Sequence, residues 1–300
     1  MQRASDPRLL ARLARLELRA RTAVEGLAGG RHRSPLRGAS TTFAEHREYT
    51  PGDDLRYLDW RVIARSDRNF VRQYEEETDL TGFLVLDASA SMRFSSLDWT
   101  KLDYATWTVA ALARLLLLQH DSTGLFVTAG EALMKWLPPG GTERHWHTMV
   151  EMLEGIQPEG SGDPARALEA AAGRMERRGL VVWVSDCLGD PDLAAHAAGL
   201  LRHKGHDLLV LRTLDPAEVH FPFGRSTRFD PLELGERLLL DPRAIRNAYL
   251  EEFEDHARRL RLGLRSLNVD FLRMETDQAL EIALSQFLAL RTARMRRAGR

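Results

Sequence analysis

The chain has 300 residues, of which 44% are hydrophobic and 28% are charged, and its formal net charge is −1. This length and composition predict a globular protein that can bury a full hydrophobic core. A net charge near zero excludes the global basic field that supports non-specific nucleic-acid binding, so we expect no nucleic-acid partner.

The sequence limits the cellular compartment and the kind of activity that we expect of the protein. The single cysteine, Cys187, cannot form an internal disulfide, so nothing requires an oxidising compartment. No stretch approaches the about 18 uninterrupted apolar residues of a membrane span, and we expect a cytoplasmic protein. None of the three lysines, Lys101, Lys135 and Lys204, lies in a Gly-Lys-Ser/Thr phosphate loop, so the chain is not a P-loop ATPase.

The first predicted elements precede the main sheet. Asp6-Pro7 is a typical helix start, and apolar residues follow at helical spacing to about Gly29, which predicts an N-terminal amphipathic helix over residues 1–30. Residues 31–79 are assigned to a small β-rich segment, with short strands near 43–49, 60–64 and 70–74 and a turn at 51–54.

Residues 80–215 alternate between apolar strands and helices, which predicts an α/β fold with a doubly wound, mostly parallel sheet. The predicted strands lie near residues 80–86, 125–128, 133–137, 179–185 and 208–212. The predicted helices lie near residues 101–119 and 143–156, from residue 163 onward, and near 193–203.

Residues 216–300 are assigned to a C-terminal segment that completes this core with helices and a strand. We expect irregular, Pro-punctuated structure over 215–234, a helix over 241–262 and a strand over 269–274. A last helix, capped by Thr276, is expected to end near residue 294.

The first strand of the core runs directly into Asp87, Ser89 and Ser91. Its continuous apolar run, residues 83–86, is typical of a strand covered on both faces, and ligands bind beyond the carboxyl ends of such strands. One carboxylate and two hydroxyls at alternate positions of a tight turn can converge on a hard cation, and they suit Mg²⁺ or Mn²⁺ better than Zn²⁺. The alternative is that these residues cap the next helix and bind backbone amides.

A second apolar strand, over residues 179–185, ends at Ser185 and Asp186. Two strands therefore deliver carboxylates to the same edge of the predicted sheet. There Asp87 and Asp186 would repel each other unless one is protonated or a cation binds, so we assign both to one metal site. The alternative role of Asp186, as a cap for the next helix, is better filled by Asp190 before Pro191.

Two stretches carry a resemblance to known families. Asp87-Ala88-Ser89-Ala90-Ser91 resembles the D-x-S-x-S metal-ion-dependent adhesion site of von Willebrand factor A domains. Residues 43–77, FAEHREYTPGDDLRYLDWRVIARSDRNFVRQYEEE, resemble the signature of the bacterial domain-of-unknown-function family 58. The resemblance implies a von Willebrand A-like fold, work beside a MoxR-type AAA+ ATPase, and a role for Asp186 in holding a metal-bound water.

The same resemblance implies a third loop, near residues 157–163, that supplies a threonine to the cation. Gly162 occupies the place of that threonine, so the ion would lose one hydroxyl ligand or hold a water instead. Ser161 and Asp163 are candidates for the surroundings of the metal. Asp163 precedes Pro164 and is also a typical helix N-cap.

These residues predict a non-enzymatic binding module that captures a partner carboxylate through Mg²⁺ or Mn²⁺. The resemblance implies that it couples a client protein to a MoxR-type AAA+ ATPase. One alternative is a protein-interaction scaffold whose site holds no metal. Another is a haloacid-dehalogenase-like phosphotransferase with Asp87 as nucleophile, although Ser89 stands where that class has a second aspartate. We expect Cys187 to be a core residue rather than a nucleophile.

Overall fold

The structure is a computed structural model, and it describes residues 19, 42–48, 70–75, 80–224, 227–229, 238–282 and 284–289. The chain divides into two compact units, residues 33–79 and residues 1–32 together with 80–300. In the first unit, strand β1 (Thr42–Glu48) pairs antiparallel with β2 (Phe70–Glu75), close to two of the predicted strands. The predicted helix over 1–30, apart from the helical Arg19, and the predicted strand 60–64 and turn 51–54 lie outside the described residues.

The second unit contains the remaining described strands and helices. The strands are β3 (Thr81–Asp87), β4 (Ser122–Ala129), β5 (Ala132–Gly140), β6 (Leu180–Ser185), β7 (Asp207–Leu214), β8 (Thr227–Phe229), β9 (Leu238–Leu240) and β10 (Asp270–Glu275). The helices are α1 (Lys101–Leu118), α2 (Glu143–Glu154), α3 (Pro164–Ala172), α4 (Pro191–His203), α5 (Pro216–His220) and α6 (Pro242–Ser266). Residues 280–282 and 284–289 are also helical.

Six of these strands form one sheet in the order β10-β7-β6-β3-β4-β5. Neighbouring strands are parallel except β4 and β5, which are antiparallel. This arrangement confirms the predicted α/β fold with a doubly wound, mostly parallel sheet. From β3 the chain continues to β4 and β5 on one side of β3, and it then adds β6, β7 and β10 on the other side. The strand order therefore reverses between β3 and β6. In open α/β sheets, ligands bind at such a reversal, beyond the carboxyl ends of the strands.

The apolar run of β3 is buried because both faces of the sheet are covered. Leu84 and Leu86 lie in a hydrophobic cluster with residues of α1 and α2, whereas Phe83 and Val85 lie in a second cluster with residues of α3, α4 and α6. This alternation follows from the two-residue period of a strand. The two cores fix β3 from both sides and hold its carboxyl end in place.

Several helices of this unit begin with the same two-residue signal. An aspartate side chain accepts a hydrogen bond from the backbone N–H two residues later, and a proline occupies the first turn, where its missing N–H costs nothing. The pairs are Asp163-Pro164 of α3, Asp190-Pro191 of α4, Asp215-Pro216 of α5 and Asp241-Pro242 of α6.

Two predictions for the C-terminal part are wrong. The segment 215–234 is not irregular throughout, because Asp215 and Glu218 form a capping box that starts α5, and β8 follows within the same segment. Thr276 is not a side-chain cap, since its buried hydroxyl bonds to no described residue. Its backbone N–H instead donates to the carbonyl of Leu214 and extends the ladder between β10 and β7.

Helix α6, with 25 residues, is the longest helix described. It is amphipathic, and it buries Phe253, Leu260 and Leu264 while its other positions are mostly polar. Across the described part of the chain, no helix combines the length and the apolar character needed to cross a bilayer.

Candidate functional site

The structure brings the two predicted carboxylates to the same edge of the sheet. In the parallel pair β3–β6, Leu86 lies opposite Val184, so Asp87 lies level with Ser185, and Asp186 follows one residue later at the same edge of the sheet. The hydroxyl of Ser185 donates a 2.7 Å hydrogen bond to Oδ2 of Asp87 and links the two strand ends. Both aspartates are buried.

Ser89 and Ser91 lie between these carboxylates. The backbone N–H of Ser89 donates to Oδ1 of Asp87 at 2.9 Å, and the two serine hydroxyl oxygens are 3.0 Å apart. The side chain of Ser89 acts to lower the pKa of Asp87, and that of Ser91 acts to lower the pKa of Asp186. Oxygen atoms from both strand ends therefore converge around the two serines.

The capping alternative for these serines has little support in the geometry. A 3₁₀ turn over residues 90–93 follows Ser89, but the side chain of Ser89 makes no capping hydrogen bond to it. The next long helix, α1, has its own capping box, formed by Thr100 and Asp103. The hydroxyls of Ser89 and Ser91 are therefore not used to cap a helix.

A small cleft of about 190 Å³ opens beside the two serines. It is lined by Ser89, Ser91, Gly162, Asp163, Pro164, Asp186, Leu188 and Gly189. Asp87 is fully buried and lies outside this lining. A ligand in the cleft would thus meet the serine hydroxyls and Asp186 directly, with Asp87 behind Ser89.

The third loop, near residues 157–163, lines the cleft with Gly162 and Asp163 and contributes no hydroxyl to the lining. Gly162 has φ +106°, a conformation that side-chain-bearing residues rarely adopt, and a Cβ there would lie 2.7 Å from Cγ of Glu131. Asp163 is the N-cap of α3, and its two oxygens accept from the backbone N–H groups of Ala165 and Asp190 at 2.9 and 2.6 Å. Ser161 is exposed and lies outside the lining of the cleft.

Asp186 is neutralised by a cation that was not predicted from the sequence. Nζ of Lys101, the first residue of α1, lies 2.8 Å from Oδ2 of Asp186 and 2.6 Å from Oε1 of Glu218. Its side chain is fully buried. A usable signal was present, because a lysine in the first turn of a helix opposes the helix dipole and is unfavourable unless an acidic group faces it.

The two carboxylates respond in opposite directions to this arrangement. Burial and the charge of Asp186 raise the pKa of Asp87 to about 7. Burial also acts to raise the pKa of Asp186, but the charge and hydrogen bond of Lys101 outweigh it and lower that pKa below its ordinary value. Asp87 is therefore the carboxylate whose negative charge is the less well compensated.

Arg212 of β7 and Cys187 complete the surroundings of Asp186. Nε of Arg212 donates to the backbone carbonyl of Asp186 at 3.0 Å and fixes the chain where it leaves β6. Cys187 is buried, and burial raises the pKa of its thiol to about 12. A thiol that stays protonated at neutral pH is a poor nucleophile, in keeping with the expected core role.

The donor set fits a hard divalent cation that keeps several waters. Two carboxylates and two hydroxyls are oxygen ligands of the kind Mg²⁺ and Mn²⁺ prefer, and Asp87 is a buried acid without a bonded cation among the described residues. In the described part of the chain, no group of three or more His, Cys, Asp and Glu side chains could hold a metal. An ion at this edge would therefore depend on the serine hydroxyls and on water.

Comparison with known sequences identifies relatives over most of the chain. A family model described as "Protein of unknown function DUF58" matches residues 45–259. An uncharacterized protein of Mycobacterium tuberculosis (strain ATCC 25618 / H37Rv) is 30% identical over 291 residues, which cover 95% of this chain and 90% of the relative. An uncharacterized protein of Mycobacterium bovis matches with the same identity and coverage.

Comparison with solved structures gives more distant similarities. The conserved hypothetical protein BatB from Bacteroides thetaiotaomicron is 16% identical, with a TM-score of 0.48, over 72% of this chain and 99% of that one. The SpRpn10 VWA domain is 11% identical, with a TM-score of 0.43, over 69% of this chain and 94% of that one.

Proposed function

Because the chain belongs to the DUF58 family of proteins of unknown function, we propose a function from its own site. The protein is a non-enzymatic binding module that captures a carboxylate of a partner protein through a divalent cation, Mg²⁺ or Mn²⁺. Ser89 and Ser91 would hold the ion from the cleft, and Asp87 and Asp186 would hold it through their charge and through bound water. Such an ion supplies electrostatic attraction for an incoming carboxylate.

One observation carries this proposal: at the strand-order reversal, the ends of β3 and β6 hold two hydroxyls and Asp186 at one small cleft, with the buried Asp87 behind them. A buried acid such as Asp87, next to the charge of Asp186, is costly when ionised. A cation at the serines would relieve this cost. If free Mg²⁺ stood at about 100 times its dissociation constant, the folded state would gain about 2.7 kcal/mol.

The acidic groups around the cleft outnumber the basic ones. When ionised, Asp87, Asp186, Glu218 and the cleft-lining Asp163 are opposed by Lys101 and Arg212, which leaves two net negative charges. A divalent cation would balance them in a poorly solvated place, where an unbalanced charge is costly.

The proposed partner is a MoxR-type AAA+ ATPase, with a second protein as client. The support is the resemblance of residues 43–77 and of the D-x-S-x-S loop, and not a contact within this chain. Because the sequence contains no Gly-Lys-Ser/Thr loop, a separate ATPase would have to supply any ATP-driven work. A cytoplasmic location is part of the same proposal and is supported by the single cysteine.

Co-purification from the native cell tests the partner. The full chain should recover a MoxR-type ATPase or a client in buffer with Mg²⁺ and lose it in EDTA. Asp87→Asn should lose the partner under both conditions. Asp207→Asn is the matched control, because Asp207 is an exposed aspartate at the opposite, amino end of β7, and it should behave as the wild type.

The alternatives give different results in this design. Recovery of the same partner with and without EDTA, and with Asp87→Asn, would favour a scaffold that works without metal. Recovery of no AAA+ protein under any condition would overturn the proposed coupling. Phosphate release from p-nitrophenyl phosphate that is abolished by Asp87→Asn would favour a phosphotransferase.

A further inference from the structure

We infer that Lys101 is a resident cation of this site. Its ammonium binds Asp186 and keeps the affinity of the site for a divalent ion low. This inference rests on the proposed function, since it concerns how the same edge of the sheet binds Mg²⁺. It assigns Lys101 and Glu218 a role that neither the D-x-S-x-S loop nor the end of β6 suggests.

The ammonium of Lys101 is held on two sides by carboxylates. It lies 2.8 Å from Asp186 and 2.6 Å from Glu218, and the ring centre of Phe94 is 6.0 Å from Nζ. Glu218 is itself fixed, because its second oxygen accepts the backbone N–H of Asp215 in the capping box of α5. The lysine therefore has one well-defined position and no contact with solvent.

The position of Lys101 in α1 adds a second positive element. It is the first residue of an 18-residue helix, at the end where the helix dipole is positive. Its ammonium contacts Asp186, one of the two carboxylates that would attract the divalent ion. An ion drawn toward Asp186 would therefore enter a field that already contains a full positive charge a few ångströms away.

The hydrogen bonds of Asp186 also limit its availability to a metal ion. Oδ2 is occupied by Lys101, and Oδ1 accepts the backbone N–H of Leu188 at 3.3 Å. A metal-bound water at Asp186 would have to share oxygens with these donors. Asp87, by contrast, has serine and backbone donors and no bonded cation among the described residues. The divalent ion thus depends chiefly on the two serines and on the charge of Asp87 behind them.

Calorimetric titration of MgCl₂ into the full-length protein tests this inference. Lys101→Met removes the ammonium while keeping an unbranched side chain, and it should tighten Mg²⁺ binding at least about tenfold, the scale on which groups behind metal ligands alter affinity. Lys101→Arg, which keeps the charge, should retain the weak binding of the wild type. Lys204→Met is the matched control, because Lys204 is exposed, and it should not change the affinity.

The outcomes separate this inference from the proposed function. Equal Mg²⁺ affinity in the wild type and Lys101→Met, or weaker binding in Lys101→Met, would overturn the role of Lys101 and leave the proposed metal site standing. Binding by Lys101→Met with none by the wild type would support the inference and overturn metal capture by the natural chain. Absence of binding in both proteins would overturn both.

A second measurement uses only the wild type and does not depend on how the variant folds. The chain has three lysines, so ¹⁵N-lysine labelling gives three side-chain ammonium signals for nuclear magnetic resonance. The buried Lys101 signal should shift with MgCl₂ and saturate with the calorimetric affinity, while Lys135 and Lys204 stay unchanged. A Lys101 signal that does not move as Mg²⁺ saturates the site would contradict the inference.

Discussion

The ends of β3 and β6 lie side by side, and each carries a buried aspartate with different surroundings. Asp87 bonds to the backbone N–H of Ser89 and to the hydroxyl of Ser185. Asp186 bonds to the ammonium of Lys101. Burial and a neighbouring charge raise the pKa of Asp87 to about 7, whereas Lys101 lowers that of Asp186 in spite of its burial.

The sheet and the helices therefore have separate roles at this site. The register of β3 and β6 sets where the carboxylates lie, because parallel strands end at one edge. Helices α1 and α5 supply Lys101 and Glu218, and these decide which carboxylate is already neutralised. Asp87 is the carboxylate that no bonded cation neutralises among the described residues.

The largest expected effect comes from removing the cation on the Asp186 side. Lys101→Met leaves two buried carboxylates without their partner, and we expect a loss of about 3–5 kcal/mol in the free energy of unfolding. Urea denaturation in EDTA measures it. Lys204→Met should change the stability by less than about 1 kcal/mol. A loss below about 1 kcal/mol for Lys101→Met would show that the buried ion pairs contribute little.

The pH dependence of stability distinguishes the two aspartates by its sign. Without metal, Asp87 has a pKa of about 7 when folded and 3.8 as its ordinary value, so between these the folded chain binds more protons than the unfolded chain. Stability should therefore fall as the pH rises through this range, by at most ~4 kcal/mol. Asp186, with its lowered pKa, has the opposite sign: its contribution is present above about pH 4 and is lost as the pH falls further.

Urea denaturation at a series of pH values from 4.5 to 7.5 in EDTA measures the Asp87 effect. Asp87→Asn should flatten the curve, since it removes the titrating group and keeps the shape of the side chain. Saturating Mg²⁺ should flatten it in the wild type, because the ion favours the ionised carboxylate. A wild-type curve without a fall toward pH 7 would contradict the stated surroundings of Asp87.

A smaller effect is expected from a substitution in the third loop, near residues 157–163, which carries neither Asp87 nor Asp186. Gly162→Thr would place a side chain at φ +106° and should cost about 1–3 kcal/mol. It should not tighten Mg²⁺ binding, because the positive φ strains any side chain at this position and the new Cβ would displace the side chain of Glu131. Gly199→Ala is the control, since a Cβ there meets only Leu267 at an ordinary distance of 3.8 Å. A Gly162→Thr protein with full stability and tighter Mg²⁺ binding would show that the loop adapts.

Much of the fold could be predicted from local sequence, and the convergence at the strand ends followed from it. The apolar runs ending at Asp87 and at Ser185 predicted β3 and β6, and Asp-Pro pairs predicted the starts of α3, α4 and α6. The pairing of Lys101 with Asp186 and Glu218 could not be predicted in this way. These residues are 85 and 117 positions from the lysine, and only tertiary packing brings them together.

The most direct test of the central claim is a crystal structure grown with Mn²⁺ and examined by anomalous scattering. The proposed site predicts one Mn²⁺ peak in the cleft beside Ser89 and Ser91, at about 2.1–2.2 Å from their hydroxyl oxygens, and no such peak in Asp87→Asn. A cleft without a Mn²⁺ peak at saturating concentration, with Ser89 and Ser91 still hydrogen-bonded to each other, would contradict it.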